Sequence, residues 1–405
     1  MQFADIIGQQ PVKKNLAELL QHNRLSHALL FLGKEGNGAL ALALAFAQYI
    51  VCEKVNGKNT KDQAGPSLFG DPEPQTPNAK PELQNDACGV CSACIKAQQL
   101  IHPDIHFSYP TVTKKPGEKP VATDFILEWR EFIKLNPYGN LFDWIELIKE
   151  NENSQGKITA EECNDIIHKL SLKSFESEYK ILVMWMPEKL GTEGNKLLKL
   201  IEEPPKNTLF ILVSENEAQV LPTIISRCQL IKIPALETAD IEKALIERNK
   251  TELPTAHQVA TVCDGNYRDA LQLVQHAEED WQALLREWLN AILKTGPIAQ
   301  TKWVEEINRL GREKQKQFLR YFNHLLEQAI HYRIRGEQLT IVENERDFAE
   351  RLNKIAGIEQ QQAIIEELDR ASYYIERNAN GKMLFHALTI KLYHIIQDKI
   401  VFLVD

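Results

Sequence analysis

Apolar residues follow two different spacings along this chain of 405 residues. Continuous apolar runs occur at Leu29–Leu32, Lys180–Trp185 and Thr208–Ser214, and runs of this length are typical of strands in a parallel sheet covered on both faces. Two segments have helical patterns, because Gln10–Leu20 is amphipathic and Ala39–Tyr49 is rich in Ala and Leu. This alternation of strands and helices predicts an α/β fold with a parallel sheet for the first part of the chain.

The rest of the sequence has a helical pattern. Apolar residues recur three or four positions apart, as at Phe318 and Phe322. A chain of this length has room for two or three domains. We therefore expect an α/β domain at 1–233, a small helical domain at 234–278 and a larger helical domain at 279–405.

Two segments of the first domain stand out by their composition. Aromatic residues are frequent at 124–149, and we expect them in the core because large aromatic side chains are usually buried. Residues 55–86 are rich in Pro, Gly, Asn, Lys and Asp, which predicts a surface insertion.

A glycine-rich loop follows the first predicted strand and precedes a helix, which is the order of a phosphate-binding unit. Its glycines are Gly33, Gly36 and Gly38. A working loop needs Lys after the last glycine to reach the phosphates and Ser or Thr next to hold Mg²⁺. This chain has Ala39 and Leu40 there. The backbone at the start of the helix remains a place where a nucleotide could bind, but we expect no hydrolysis.

A second catalytic element is missing after the run Lys180–Trp185. A hydrolysing enzyme of this kind would have Asp for Mg²⁺ and Glu to position the attacking water, whereas this chain has Trp185, Met186 and Pro187. Two independent losses indicate the outline of a nucleotide-driven motor without its chemistry. The chain is thus expected to serve an assembly of motors.

Cys88, Cys91 and Cys94 are separated by two residues each, a spacing that lets their side chains converge on one tetrahedral ion. Zinc is the favoured metal, and an iron–sulfur cluster is the alternative that uses the same ligands. A site with four protein ligands has no open position for water, so we expect a structural role.

The fourth ligand of this zinc module is predicted to be Cys52, at the end of the second helix. His102 and Cys163 are the alternatives. With Cys52 as ligand, the module covers 52–94 and residues 53–87 loop out of it.

Charge and composition narrow the classes of function. Apolar residues make up 43% of the chain and the formal net charge is −9, which argues against a nucleic-acid-binding surface of the usual basic kind. The sequence contains no apolar stretch of the length that spans a membrane and no signal-peptide pattern at its start, so we expect a cytoplasmic protein. Seven cysteines fit that compartment, because four can be placed in the metal site.

Several motifs together resemble a known family. The resemblance is to the delta-prime family of bacterial DNA polymerase III clamp-loader subunits, which are AAA+ proteins of the replication-factor-C type. The motifs are Ile7-Gly8-Gln9, Arg24-Leu25-Ser26-His27-Ala28, the cysteine cluster followed by His102-Pro103-Asp104, Asn195-Lys196-Leu197-Leu198-Lys199, Glu202-Glu203-Pro204-Pro205, and Ile225-Ser226-Arg227-Cys228.

The resemblance implies a pentameric loader. In it, motor subunits called gamma or tau bind ATP, open the ring-shaped beta sliding clamp and place it on primed DNA, together with a delta subunit. The family member is the stationary subunit, and it lends an arginine to the ATP site of the adjacent motor. Arg227 matches that arginine, and a guanidinium can stabilise charge on the γ-phosphoryl group. The structural alternative is an arginine that caps the end of the sheet. The segment from Gly265 to Leu271 looks like the helix that carries sensor residues in motor relatives, but without a working pocket Arg268 would be expected only to pack or pair locally.

The resemblance thus implies an AAA+ domain with a zinc module, a helical lid at 234–278 and a collar domain at 279–405 that joins the assembly. ATP would be bound by the partner subunits, and the isolated chain would have no catalytic activity. One alternative is an independent AAA+ ATPase or remodelling factor. Another is a zinc-dependent nucleic-acid-binding module, although Lys80 and Lys96 are the only nearby positive charges before His102.

Overall fold

The computed structural model describes residues 1–56, 85–113, 117, 119–149, 156–275, 281–335, 343–377 and 379–399. Most of the predicted 53–87 insertion and the 278/279 boundary lie outside these residues. The chain divides into two compact units, Met1–Val274 and Gln275–Asp405. The predicted boundary at 233/234 lies inside the first unit and stays a prediction.

The first unit contains a five-stranded parallel sheet. The strand order is β2-β3-β4-β1-β5. The strands are β1 Ala28–Leu32, β2 Ile105–Ser108, β3 Lys180–Trp185, β4 Thr208–Ser214 and β5 Gln229–Lys232. The predicted α/β class with a parallel sheet is therefore confirmed.

The hydrophobic pattern does not predict the two edge strands. Three of the four residues of β5 are exposed, and β2 has polar His106 between its apolar positions. Edge strands pair on one side only, so their sequences need not be continuously apolar.

Helices cover the sheet and continue beyond it. The α-helices of this part are α1 Gln10–Gln21, α2 Ala39–Val51, α3 Ser92–Gln98, α4 Ile126–Leu135, α5 Leu141–Ile148, α6 Ala160–Ser171, α7 Leu198–Glu202, α8 Pro222–Ile225, α9 Thr238–Asn249, α10 Leu253–Val262 and α11 Tyr267–Gln275. The 3-10 segments are Phe3–Asp5, Ala122–Phe125, Pro187–Leu197 and Glu217–Gln219.

Helix α2 lies at the centre of the first unit. All of its residues are buried, as expected for a helix that is apolar on every side. It begins after Gly38, whose φ of 85° is easily adopted only by glycine, and ends before Cys52. The helix therefore connects the glycine loop to the predicted zinc module.

The aromatic segment at 124–149 forms part of the same core. Trp129 stacks on Tyr109 with ring centroids 4.1 Å apart, and Trp144 packs edge-on against both. Core packing is confirmed for these tryptophans, whereas Phe142 is exposed.

The second unit is helical in its described residues, as predicted. Its core contains Trp288, which stacks on Trp303 with centroids 4.5 Å apart, and Phe318 and Phe322. The helices are α12 Trp281–Asn290, α13 Pro297–Arg309, α14 Arg312–Arg335, α15 Glu343–Ile355, α16 Ile358–Glu376 and α17 Gly381–Gln397, with a π-helical segment at Ala291–Thr295. Among the described helices of the whole chain, none is long and apolar enough to cross a membrane.

Candidate functional site

Asn37, in the glycine loop between β1 and α2, makes buried side-chain hydrogen bonds. The Asn37 side chain is buried, and its Nδ2 donates to Ile233 O at 2.8 Å. Its Oδ1 accepts from Ala39 N at 3.0 Å, at the first residue of α2. A helix N-terminus attracts anions because its first N–H groups lack partners. Here one of those donors is already paired with a side chain of the loop.

Side chains from other elements cover the remaining glycines. Gly36 has a φ of 71°, and the Asn266 carboxamide lies where a Cβ at Gly36 would be. Tyr267 N also donates to Gly36 O at 3.1 Å. At Gly38, the Tyr138 ring lies 2.7 Å from the position of a Cβ. Glycine allows another group to lie close to the loop backbone. In this loop, that group is a side chain of the same chain.

Arg268 lies beside the loop in a buried ion cluster, with only 5% of its side chain exposed. Its Nε and Nη2 each donate to an oxygen of Asp143 at 2.6 Å, and its Nη1 donates to Glu35 Oε1 at 3.1 Å. Asn140 Nδ2 donates to the same Glu35 oxygen at 2.9 Å. A bidentate pair of this kind is strong and directional. The guanidinium in the segment that resembles the sensor helix is thus paired with carboxylates of its own chain.

A third carboxylate lies near the same guanidinium. Asp269 Oδ1 is 3.6 Å from Arg268 Nη1. The Arg268 side chain is therefore engaged by carboxylates of its own chain.

Directly after β3, where the sequence lacks the catalytic carboxylates of a hydrolysing enzyme, the structure has apolar side chains. Trp185 and Met186 are both buried. Glu188 is the next carboxylate along the chain, and its Oε1 accepts from Ser214 Oγ at 2.5 Å and Glu215 N at 2.7 Å. Glu188 therefore holds the end of β4 and has a structural role.

The four predicted metal ligands lie together. Cys52 follows α2, Cys88 and Cys91 precede α3, and Cys94 lies in the first turn of α3. Their sulfur atoms all lie within 4.8 Å of one another, and the Cys88 and Cys94 sulfurs are 3.9 Å apart. Tetrahedral zinc with bonds of about 2.3 Å to four sulfurs separates those sulfurs by about 3.8 Å. The group therefore fits a metal ion with four thiolate ligands.

Backbone groups around the cysteines favour thiolates. Cys88 N donates to Cys52 Sγ at 3.4 Å, Cys91 N to Cys88 Sγ at 3.3 Å and Cys94 N to Cys91 Sγ at 3.4 Å. The hydrogen bond between Cys52 and Cys94 lowers the pKa of Cys52 and raises the pKa of Cys94. A cation at the centre would favour the thiolate form of these cysteines. Metal ligation by this group, with zinc as the metal, stays a prediction.

Neither alternative for the fourth ligand belongs to this group. His102 is buried, and its Nδ1 accepts from Asp104 N at 3.2 Å. Cys163 lies on α6, where its sulfur points to Glu193 O at 3.7 Å and burial raises its pKa to about 11. The two remaining cysteines, Cys228 and Cys263, likewise have pKa values raised to about 11 by burial.

Arg227 lies between α8 and β5, and 31% of its side chain is exposed. Its Nε donates to Glu202 Oε1 at 2.7 Å, and its Nη2 contacts the same oxygen. Its Nη1 donates to Thr223 O at 2.7 Å and to Ser226 Oγ at 3.1 Å. The guanidinium is therefore held at the surface by contacts with α7 and α8.

The residues in and around the glycine loop differ in how readily they can be identified from the sequence. Glu35 lies inside the loop itself, and an acidic residue there is a sign against phosphate binding. Asn37 is also a loop residue, but its side-chain bonds depend on the fold. Asp143 and Asn266 come from distant segments, so no local pattern identifies them.

Comparisons with known proteins agree with one another. The pattern of the family described as DNA polymerase III, delta subunit matches residues 8–67 and 75–237, more than half of the chain. The DNA polymerase III subunit tau of Bacillus subtilis (strain 168) is 24% identical over 338 residues, covering 81% of this chain and 46% of that protein. The subunit delta' of the same organism is 25% identical over 270 residues, covering 67% of this chain and 60% of that protein.

A solved structure, that of a DNA polymerase III gamma subunit-related protein from Thermotoga maritima, is 14% identical, covers 94% of this chain and 99% of that one, and gives a TM-score of 0.34. The chain spans about half the length of the two curated Bacillus relatives. Since the family pattern covers most of the α/β part, the chain belongs to the DNA polymerase III delta subunit family, a family of clamp-loader-type subunits.

Proposed function

We propose that this chain is the delta-prime-type, non-hydrolysing stator of a cytoplasmic clamp-loader complex of DNA polymerase III. Its partners are the gamma or tau motor subunits and the delta subunit. Through them it supports ATP-dependent loading of the beta clamp on primed DNA. The three domains predicted from the sequence are the proposed AAA+ domain, lid and collar.

The observation that carries this proposal is the filled glycine loop. Asn37 Oδ1 accepts from Ala39 N, a donor that a phosphate would use, and the Asn266 and Tyr138 side chains pack against Gly36 and Gly38. Arg268 is neutralised by Asp143 and Glu35. These contacts come in addition to the missing Lys and Ser or Thr, so the sequence and the geometry independently oppose nucleotide chemistry in this subunit.

Arg227 is the proposed contribution to a neighbour's chemistry. In contrast to Arg268, it lies at the surface, and one carboxylate of its own chain contacts it. A guanidinium that enters the ATP site of the adjacent motor would stabilise the charge that develops on the transferred phosphoryl group.

Zinc held by Cys52, Cys88, Cys91 and Cys94 is the proposed cofactor, and its role is structural. When bound, it would cross-link the end of α2 to the start of α3 through a closed set of ligands. The chain around it already orients the sulfurs through backbone N–H groups.

The two alternative functions have less support. An independent ATPase needs free N–H donors at the start of α2, and Ala39 N is already paired with Asn37 Oδ1. A nucleic-acid reader needs a basic surface at the cysteine module. There, Lys96 is paired with Glu176 at 2.5 Å, and the exposed side chains of Val90 and Ile95 are apolar.

The direct experiment is reconstitution of the loader with wild-type chain or Arg227→Ala, followed by measurement of the ATPase rate stimulated by DNA and clamp. Assembly is checked for both by size-exclusion chromatography. A lower rate with intact assembly supports the stator proposal, because the ATP is bound by other subunits. An unchanged rate contradicts the role of Arg227, and turnover by the isolated chain would favour the independent ATPase.

A further inference from the structure

Glu202 and Arg227 meet at the surface although they belong to separate elements. Glu202 is the last residue of α7, and Arg227 follows α8. A carboxylate at the C-terminal end of a helix is disfavoured, because the partial negative charge of the unpaired carbonyl groups lies there. The guanidinium of Arg227 offsets this repulsion. The pair thus has a local electrostatic reason to form.

The pairing uses one particular edge of the guanidinium. Glu202 Oε1 accepts from both Nε and Nη2, and Thr223 O and Ser226 Oγ accept from Nη1. A guanidinium has five N–H donors, of which these contacts use four. In the described part of the chain, the second N–H of Nη2 has no acceptor of its own. It lies on the terminal edge of the group, away from the Nε edge that Glu202 holds.

Such a hold matters because an arginine side chain has several rotatable bonds. An exposed arginine without supporting contacts samples many rotamers. Only a small fraction of the molecules then has the rotamer that fits the partner site, and fixing that rotamer on docking costs entropy. Contacts that fix the group in one orientation before docking remove this loss.

We propose that Glu202 is a positioning residue for Arg227: it holds the Nε edge and thereby directs the remaining Nη2 N–H of the guanidinium toward the phosphate of a nucleotide bound to a neighbouring subunit. This inference rests on the proposed function of Arg227. It adds that Glu202, at the end of α7, contributes to the action of Arg227 and is not only a surface ion-pair partner.

The test uses Glu202→Gln with Glu203→Gln as its matched control. Both residues are exposed neighbours, and both changes remove one negative charge while keeping the side-chain shape. In the reconstituted loader, Glu202→Gln is expected to lower kcat of the stimulated ATPase about tenfold, as loss of a supporting partner commonly does. The KM for ATP should stay unchanged, because the nucleotide binds to another subunit. Glu203→Gln should behave as wild type.

The same substitutions in an Arg227→Ala background separate the two proposals. If Glu202 acts only through Arg227, adding Glu202→Gln to Arg227→Ala changes nothing further. Should Arg227→Ala itself leave the rate unchanged, the proposed function of Arg227 fails. If Arg227→Ala lowers the rate but Glu202→Gln matches Glu203→Gln, raises kcat, or remains costly without Arg227, the positioning role is overturned. Assembly and thermal unfolding of each variant are measured alongside.

Discussion

Arg268 and Arg227 have the same side chain in two contrasting settings. Arg268 is buried beside Asp143, Glu35 and Asp269, whereas Arg227 lies at the surface, where Glu202 is its one carboxylate partner among the residues that the structure describes. In the first region the chain pairs the guanidinium with its own carboxylates. In the second it leaves part of the guanidinium accessible. The contrast is the basis of the proposal that Arg227 acts in a nucleotide site completed by another chain.

The largest expected effect concerns the four clustered cysteines, which like the Arg268 cluster are side chains that contact one another within the chain. Metal analysis should find about one zinc per chain, and Cys91→Ser should remove most of it and lower the unfolding temperature, because binding energy of a structural zinc is folding energy. Cys228→Ser is the control and should retain the metal. Full zinc occupancy in Cys91→Ser would reject the assignment.

The next effect tests the contrast between the two arginines directly. Arg268→Ala removes the guanidinium from the partly buried carboxylates of Asp143 and Glu35 and should lower the free energy of unfolding by about 3 kcal/mol. Arg227→Ala breaks an exposed ion pair and should cost about 1 kcal/mol or less. Urea denaturation of the isolated chain measures both. Equal losses of unfolding free energy for the two variants would mean that the buried ion cluster stabilises the fold no more than the exposed ion pair does.

The smallest expected effect is the absence of a response to nucleotide. Titration of the isolated chain with Mg-ATP should give no saturable binding and no rise in unfolding temperature up to about 1 mM, because a ligand that binds the native state must stabilise it. The same titration of a motor subunit serves as a positive control. Saturable binding at micromolar concentrations would show that the loop opens despite the contacts of Asn266 and Tyr138.

Much of the fold could be predicted from the sequence because burial leaves a clear pattern. β3 and β4 are continuously buried, and their predicted bounds Lys180–Trp185 and Thr208–Ser214 agree with the structure. The edge strands β2 and β5 could not be predicted, since an edge strand needs no continuous apolar run. The spacing of Cys88, Cys91 and Cys94 similarly points to a metal site without knowledge of the fold.

The state of the glycine loop was only partly predictable. The losses at Ala39 and Leu40 are local and visible, but several residues that contact the loop come from far along the chain. Asp143 is 125 residues from Arg268, and Asn140 is 105 from Glu35. The partner of Arg227 was also hidden, because Glu202 and Arg227 meet only when α7 and α8 pack together.

The most direct test of the central claim is the stimulated ATPase rate of the reconstituted loader with Arg227→Ala in this chain. The account predicts intact assembly and a large fall in kcat, with no ATPase activity from the isolated chain. An assembled complex with an unchanged rate would contradict the claim that this subunit acts through Arg227 on a neighbour's nucleotide.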